Sequence, residues 1–369
     1  MITKSMIIGY GIDEVVNVIS KELSESGYEI EVLTTENEFR PKNYEIKVLP
    51  MLKFPLLGNY WQKHALTDFR IVFSAKGLFK EYDVILTFDP MHAVGAFAKI
   101  FFQKPVIMYY FGVVPPNVLD SFKRKIESLR QILLWNSSFV LADYLVTNSY
   151  YTRNLLPSFL RRKAMVNYHG VSHLVVDDSK YSRRFKEELN VEDKILILSV
   201  GRFSTPYKNM WEVAKIFLEL RKSYQEIALV LIGRGTEEHV KLFSKFKDVH
   251  VLVNVPYRVL KMAFAACDIY CTTSLWEGFD LPLVAAQANG KPVVAYDVGA
   301  HSEVVLNRET GFLANSPREF KYYLELLLRD ETLRREMGRS ASQFVKKFDW
   351  STSVRRLEKL IHEISESRC

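Results

Sequence analysis

Cysteine is scarce in this chain, with three residues among 369, at positions 267, 271 and 369. They form no Cys-x-x-Cys pair and no cysteine–histidine spacing typical of a zinc site. A small, odd number of cysteines argues against a disulfide framework and indicates buried thiols in a reducing compartment. We therefore expect a cytoplasmic protein with no bound metal of this kind.

Long apolar runs are also missing. The most apolar stretch, 93–114, is interrupted by Lys99, Lys104 and Pro105, so no segment reaches the roughly 18 residues that suggest a membrane span. The opening Met1-Ile-Thr-Lys-Ser lacks the charged-then-apolar pattern of a secretory signal. From these absences we expect that the chain has neither a membrane-spanning helix nor a signal peptide.

Two further signatures are absent. No Gly-x-Gly-x-x-Gly loop follows the first predicted strand, which argues against a dehydrogenase built on dinucleotide-binding domains. The net charge of +7 comes without a basic block, so it indicates anionic ligands or an anionic surface rather than nucleic acid. The composition, 48% apolar and 25% charged, is that of an ordinary globular protein of about two domains.

The chain does contain a regular alternation of strand-like and helix-like segments. In its first part we predict strands at 2–8, 28–33, 45–49, 83–87, 106–110, 144–147 and 165–168. Helices are predicted at 13–25, 67–79, 91–102, 118–141 and 150–156, and residues 50–65 are loop-like. Such alternation is typical of a parallel sheet covered by helices on both faces.

A second alternating set follows the polar segment 173–193, which suggests a linker and a capping helix. Its strands are predicted at 195–200, 228–232, 249–253, 268–272 and 292–295, and a final helix at 351–364. We predict an α/β protein with two Rossmann-like domains facing across a cleft. The domains are residues 1–172 together with 351–369, and residues 173–350.

The most informative stretch is Ser274-Leu-Trp-Glu-Gly-Phe-Asp-Leu-Pro-Leu-Val-Ala285, directly after the predicted strand 268–272. It places one carboxylate, Glu277, in a loop before a helix that opens at Leu281-Pro282. A strand, loop, helix and strand in succession put this loop at the carboxyl edge of a parallel sheet, where ligands bind. A core crossover with an incidental acid is the alternative.

This stretch resembles the nucleotide-sugar loop of the retaining GT-B glycosyltransferases of family 4, whose pattern is E-G-F-x-L-P-x-x-E-A. Glu277 matches the first acid, whereas Ala285 stands where the family has the second, which holds the donor ribose. The resemblance implies a GT-B fold whose C-terminal helix crosses back to the N-terminal domain. It also implies that Glu277 accepts hydrogen bonds from donor hexose hydroxyls and that loop amides hold sugar and phosphate. Those amides belong to Gly278, Phe279, Asp280 and Leu281.

Two cations are spaced as in the same family. Arg202 follows Gly201 at the end of the strand 195–200. Lys208 stands six residues after Arg202, just before the start of a predicted helix. Fixed cations at a strand end and a helix N-terminus suit a diphosphate, whose negative charge grows as it leaves. No Asp-x-Asp pair for a metal occurs, so we predict metal-independent transfer. Solvated surface cations are the alternative interpretation.

Glycines mark further positions for the nucleotide. Gly233 and Gly235 in Ile232-Gly-Arg-Gly235 match the family's I-G-x-G, and small residues let backbone approach a ligand closely. Gly11, in Tyr10-Gly-Ile-Asp13, matches a segment that lies near the donor phosphates in the family. A simple strand-to-helix turn is equally compatible with it. Tyr257 stands where family members stack the donor base.

The acceptor side departs from the family pattern. A histidine usually follows the strand that matches 106–110, but Phe111 occupies this position. We predict that other nearby polar groups serve the acceptor, and structural histidines remain the alternative. These candidates are Asp13, Asp89, His92 and His169.

The function that the resemblance implies is transfer of a hexose, with retention, from a UDP- or GDP-type nucleotide sugar to an acceptor hydroxyl. The acceptor is a glycan, a lipid-linked molecule or a small molecule, and no cofactor is expected. The alternative, motivated by Phe111 and Ala285, is a catalytically impaired partner or regulatory subunit.

One predicted helix carries a basic run. Lys123, Arg124, Lys125 and Arg130 precede the apolar segment 132–135. This pattern fits an exposed basic face over a core stripe, and it also fits a helix resting on an anionic membrane surface. The second interpretation predicts a protein peripheral to the inner membrane face.

Overall fold

The computed structural model describes residues 1–3, 6, 11–49, 72, 75–176 and 179–366. The loop-like residues 50–65 and most of the predicted helix 67–79 lie outside the described residues. So do Tyr10, Cys369 and several positions of the predicted strand 2–8.

The chain divides into two compact units. The first comprises 1–116, 123–169 and 350–369, and the second comprises 117–122 and 170–349. The C-terminal helix therefore belongs to the first unit, as the GT-B resemblance implies.

The first unit alternates strands and helices in chain order. Its helices are α1 Gly11–Glu25, α2 His92–Phe102, α3 Phe122–Leu141, α4 Tyr150–Leu155 and α5 Ser158–Arg161. Its strands are β1 Glu31–Thr34, β2 Glu45–Val48, β3 Ile85–Thr87, β4 Val106–Tyr110, β5 Tyr144–Thr147 and β6 Ala164–Val166.

All described strand pairs of this unit are parallel. Strands β3, β4, β5 and β6 are neighbours in that order, and β1 pairs with β2. Ile2 bridges both Leu33 in β1 and Thr87 in β3. The chain therefore starts in the middle of this sheet and adds strands first to one side and then to the other.

The second unit continues the alternation. Its strands are β7 Ile195–Val200, β8 Ile227–Gly233, β9 Val249–Val253, β10 Ile269–Thr272, β11 Val293–Tyr296 and β12 Gly311–Ala314. Its helices are α6 Ser179–Leu189, α7 Met210–Leu220, α8 Glu237–Phe243, α9 Tyr257–Ala266, α10 Leu281–Ala288, α11 His301–Val304, α12 Pro317–Arg329 and α13 Glu331–Phe344. The strands predicted here are confirmed to within one residue, and β12 is an additional edge strand.

The strand order of this sheet is β12-β11-β10-β7-β8-β9, and all its pairs are parallel. After β9 the chain returns to the other side of β7 to form β10. The direction of strand addition thus reverses between β7 and β10. In such sheets ligands bind outside the carboxyl ends of the strands at this reversal.

The last helix, α14 Trp350–Glu366, packs against α1. Its apolar residues recur at three- and four-residue spacing, which forms one buried stripe. At the rim the Tyr28 hydroxyl and the His362 Nε2 are 3.1 Å apart. Buried members of the stripe are Val354, Leu357, Leu360, Ile361 and Ile364.

Among the described residues, every helix falls short of the length and hydropathy that a bilayer span requires.

Candidate functional site

The second unit brings together the two loops that sequence analysis singled out. Lys208 ends a 3-10 turn, Pro206–Lys208, that follows β7, and Glu277 lies in the loop that follows β10. Because β7 and β10 are neighbours at the strand reversal, both loops leave the same point of the sheet edge. The Lys208 Nζ lies 2.5 Å from the Glu277 Oε1, and both side chains are largely buried.

One backbone bond and one side-chain bond hold these loops together. The Leu275 amide donates to the Tyr207 carbonyl at 2.7 Å. The Thr273 hydroxyl donates to the carbonyl of Asn209 at 2.8 Å. Asn209 adopts a left-handed backbone, φ 49°, and turns the chain into α7 directly after Lys208. The position of Lys208 is therefore fixed on both sides.

A glycine holds the backbone of Glu277. At Gly299, φ is 59°, and a Cβ there would lie 2.1 Å from the Glu277 carbonyl oxygen. The amide of the next residue, Ala300, donates to that same oxygen at 2.9 Å. Only glycine combines this conformation with such a close approach, so the loop after β11 fixes the loop after β10.

Gly233, one of the glycines predicted to approach the nucleotide, lies against Gly201 at the end of β7. A Cβ at Gly233 would lie 1.6 Å from the Gly201 carbonyl oxygen, so no side chain fits there. At Gly235 a Cβ would lie 2.9 Å from the Phe203 ring. These glycines allow the ends of β7 and β8 to pack, which gives them a structural reason independent of any ligand.

Arg202 lies at the exposed edge of this site. Its Nη2 donates to the Tyr207 hydroxyl at 3.1 Å. Tyr207 also packs edge-on against Trp276, with ring centroids 6.0 Å apart. Arg202 is thereby connected to the segments that carry Lys208 and Glu277.

The N-terminus of α10 completes the arrangement. Asp280 is its N-cap, and the Asp280 Oδ1 accepts from the Leu283 amide at 3.2 Å. Proline at the second position suits a first turn, where its missing N–H leaves no bond unmade. The Asp280 Oδ2 lies 3.1 Å from the Nε2 of His301, whose side chain is fully buried. Sequence analysis gave a role only to the backbone amide of Asp280. The structure adds that its side chain caps α10 and contacts His301.

The charges of this cluster balance each other. Burial lowers the pKa of Lys208, but the nearby carboxylates of Glu277 and Asp280 outweigh this effect and raise it. Burial likewise lowers the pKa of His301, but the hydrogen bond to Asp280, the charges of Asp280 and Glu277 and the bond to the Tyr296 carbonyl together outweigh burial and raise it. Burial raises the pKa of Asp280, whereas His301 and Lys208 lower it to a net value below the ordinary one.

Three groups of the cluster could in principle bind a metal ion. Ligand atoms of Glu277, Asp280 and His301 lie within 4.8 Å of one another. However, Lys208 contacts Glu277 and His301 contacts Asp280. The carboxylate of Glu277 is thus paired with the Lys208 ammonium, and that of Asp280 with the His301 ring.

Ala285 lies on α10 and is fully buried. Its carbonyl accepts from the Nδ2 of Asn289, the C-cap of the same helix, at 2.8 Å. No acidic side chain is present at this position to contact a ribose.

Tyr257 starts α9 and stacks on His173, with ring centroids 6.0 Å apart. Its hydroxyl lies 3.3 Å from the His173 Nε2. The contact places Tyr257 beside the segment 172–174.

In the first unit, Asp89 joins two of the acceptor-side candidates. Its Oδ1 lies 2.5 Å from the His92 Nε2, and its Oδ2 accepts from the Phe111 amide at 3.0 Å. His92 is fully buried and packs edge-on against Trp135, with ring centroids 5.1 Å apart. Asp89 follows β3 and Phe111 follows β4, so both lie at the carboxyl edge of the first sheet.

His169 lies next to Phe111, with ring centroids 5.2 Å apart, and stacks on Trp350 at 5.8 Å. Burial lowers the pKa of His169 to about 3, so its ring is neutral near pH 7. Asp13 is buried in the first turn of α1, two residues after Gly11. The structure thus groups Asp89, His92, Phe111 and His169 in one neighbourhood.

Sequence analysis missed His301 and Tyr207. His301 follows Gly299-Ala300 after β11, which is the strand next to β10. A histidine placed just beyond a strand at this edge was an available signal. No sequence motif marks Tyr207, because its role depends on contacts with Arg202 and Trp276.

Comparison with known proteins identifies the class. The family model described as glycosyl transferases group 1 matches residues 181–344, and the model described as glycosyltransferase family 4 matches residues 10–173. Together they span most of both units, and the chain belongs to this glycosyltransferase family.

Individual relatives agree with this assignment. The chain is 26% identical to an uncharacterised glycosyltransferase of Methanocaldococcus jannaschii, over 96% of this chain and 95% of the relative. Among solved structures, it resembles sucrose-phosphate synthase from Thermosynechococcus elongatus with a TM-score of 0.84, at 16% identity over 99% and 98% of the two chains. It also resembles Anabaena HepE, solved with UDP and glucose, with a TM-score of 0.79 at 18% identity over 98% of each chain. These structural likenesses confirm the GT-B fold.

Proposed function

We propose that this glycosyltransferase transfers a hexose from a UDP- or GDP-type nucleotide sugar to an acceptor hydroxyl, with retention at the anomeric carbon and without a metal ion. The observation that carries the proposal is the buried Lys208–Glu277 pair at the strand reversal of the second unit. A cation for phosphate and a carboxylate for sugar hydroxyls stand 2.5 Å apart there. The HepE complex with UDP and glucose supports a donor of this class.

The reaction breaks the bond between the anomeric carbon and the diphosphate oxygen and forms a bond from that carbon to the acceptor oxygen. The leaving nucleoside diphosphate gains negative charge as the bond breaks. Lys208, Arg202 and the loop amides of Gly278, Phe279 and Asp280, just before α10, would stabilise this charge in a buried setting, where electrostatic stabilisation is strongest. The acceptor hydroxyl proton would pass to an oxygen of the departing diphosphate.

The test is a screen of purified protein against UDP- and GDP-linked hexoses, with release of UDP or GDP as the readout. The proposal predicts that at least one donor is turned over. NMR of the product should show the anomeric configuration of the donor, and a strong chelator should leave the rate unchanged. Inversion would contradict retention, and loss with EDTA that a divalent ion restores would contradict metal independence.

A second function, that of a catalytically impaired partner subunit, has two observations in its favour. Phe111 replaces the expected histidine, and Ala285 is a buried alanine where the family has an acid. This function predicts neither hydrolysis nor transfer of any donor in the screen. A single active donor would exclude it.

We further propose that the acceptor is met at an anionic membrane surface. The start of α3 exposes the Lys-Arg-Lys run at 123–125. Farther along the same helix, Leu129 and Leu133 are 51% and 70% exposed, and their four-residue spacing puts them side by side on one face of the helix. Cations beside exposed leucines match the anionic headgroups and acyl boundary of a bilayer.

Sedimentation with phosphatidylglycerol vesicles tests this second proposal. Each basic residue contributes about 1 kcal/mol of attraction near the surface, so binding should weaken as salt rises. Glutamine at positions 123–125 should abolish it, and phosphatidylcholine vesicles are the control. Unchanged binding by the triple variant would overturn the proposal.

A further inference from the structure

We propose that His301 is a positioning residue of the donor site, acting through Asp280 as an imidazolium. In this form it fixes the N-terminus of α10 and offsets the charge of Asp280 beside the donor phosphates. The inference rests on the proposed function and goes beyond it, because it assigns a role to a residue outside the loop that resembles the family pattern.

The hydrogen-bond partners of His301 define its protonation. The Nδ1 lies 2.6 Å from the Tyr296 carbonyl oxygen, which can only accept, so the Nδ1 carries a proton. The Nε2 lies 3.1 Å from the Oδ2 of Asp280, a carboxylate that caps a helix through its other oxygen. An ionised carboxylate also needs a donor. With both nitrogens protonated, the ring is cationic.

The surroundings of His301 support this assignment. Asp280 and Glu277 both raise its pKa, against the lowering effect of burial. Lys208 is paired with Glu277 on the far side of the cluster. The buried Tyr270 ring lies nearby on β10 and stays protonated, because burial raises its pKa well above the ordinary value.

Because His301 contacts the residue that caps α10, its positive charge affects binding of the donor phosphates. Asp280 caps α10, so its carboxylate lies where the helix N-terminus would attract a phosphate. An unpaired carboxylate at this point would repel the same phosphate. His301 neutralises it and holds it in its capping position, so the charge of Asp280 does not oppose a phosphate held by the loop amides of Gly278, Phe279 and Asp280.

Two substitutions separate the two hydrogen bonds of the ring. His301→Asn keeps a donor at the Nδ1 position, toward the Tyr296 carbonyl, but does not reach Asp280. His301→Gln extends a neutral donor toward Asp280. Asp280→Asn removes the charge that His301 offsets. Thermal unfolding of each variant shows that it is folded before binding is measured.

The measurement is calorimetric binding of UDP and of GDP from about pH 6 to about pH 10, across the range in which a histidine of raised pKa loses its proton. Affinity of the unmodified protein should fall as pH rises through the His301 transition. His301→Asn should bind about 10- to 100-fold more weakly, the change expected for losing a hydrogen bond to a charged group. His301→Gln should bind within severalfold of the unmodified protein at high pH and lack the pH-dependent fall.

An independent readout is the ¹⁵N spectrum of the histidine rings, with the His301 signals assigned by their absence from His301→Gln. Two protonated nitrogens at neutral pH are expected. A neutral ring, or an unchanged pH profile of nucleotide binding in His301→Gln, would overturn the role of His301 alone. If the unmodified protein binds neither nucleotide at any pH, the proposed function fails and the donor role of His301 fails with it.

Discussion

Substitutions of the Lys208–Glu277 pair can distinguish its contribution to stability from its contribution to catalysis. The variants are Lys208→Met, Glu277→Gln and the combination of the two. The Nζ and Oε1 atoms are 2.5 Å apart, and the side chains are 15% and 7% exposed. Removing one member of a buried pair leaves the other charge uncompensated, which costs about 3–5 kcal/mol of unfolding free energy. Each single variant should lose stability on this scale.

The double variant should behave differently in two assays. Because no uncompensated charge remains, its unfolding free energy in urea should recover relative to either single variant, with a coupling energy of about 2 kcal/mol or more. Sugar transfer should not recover, because the groups for the diphosphate and the sugar are both gone. Turnover should stay about 10²- to 10³-fold below that of the unmodified protein.

Two outcomes would refute this reasoning. Additive losses of stability would show that the two charges do not interact in solution. Recovery of transfer together with stability in the double variant would show that the pair is structural and that the donor site lies elsewhere.

The remaining predictions concern single positions. Arg202→Ala should lower turnover about 10²-fold with little loss of stability, because its side chain is exposed; a normal rate would remove it from the diphosphate site. Ala285→Glu should tighten donor binding about 10- to 100-fold by adding a charge-assisted bond to ribose, and kcat should change little. Ala285→Gln is the control for the added volume at this buried position. Equal donor affinity of the unmodified protein and both variants would contradict a ribose contact. The pKa of His169 in the folded protein is lowered to about 3, so on acidification the unfolded chain takes up a proton at this residue before the folded protein does. The free energy of unfolding should therefore fall as pH drops below about 6.5, by up to about 1.4 kcal/mol per pH unit. His169→Phe should flatten that slope in urea unfolding, and an unchanged slope would show that His169 is not the group responsible.

The second unit was largely predictable from its sequence, for a physical reason. Except for the edge strand β9, its strands are short apolar runs buried on both faces, and each ends at or just before a glycine or polar residue. The loop 274–285 and the spacing of Arg202 and Lys208 also located the donor-side cluster. What the sequence could not show was that Lys208 and Glu277 touch, because the pairing of β7 with β10 joins segments about 70 positions apart.

The first unit was less predictable. The strand predicted at 28–33 is β1 at Glu31–Thr34, because its apolar residues are interleaved with charged ones and the boundary is weakly marked. The pairing of Asp89 with His92 was not foreseen, although both were acceptor-side candidates by location. His301 escaped notice because its function depends on an ion pair with Asp280, across two loops that only the fold brings together.

The most direct test of the central claim is calorimetric titration of the protein with UDP- and GDP-linked hexoses, alongside the Lys208→Met/Glu277→Gln double variant. The account predicts that at least one donor binds in the range of about 1 μM to 1 mM, typical of enzyme substrates, and that the folded double variant loses this binding. Equal binding by both proteins, or no binding of any donor by the unmodified protein, would contradict it.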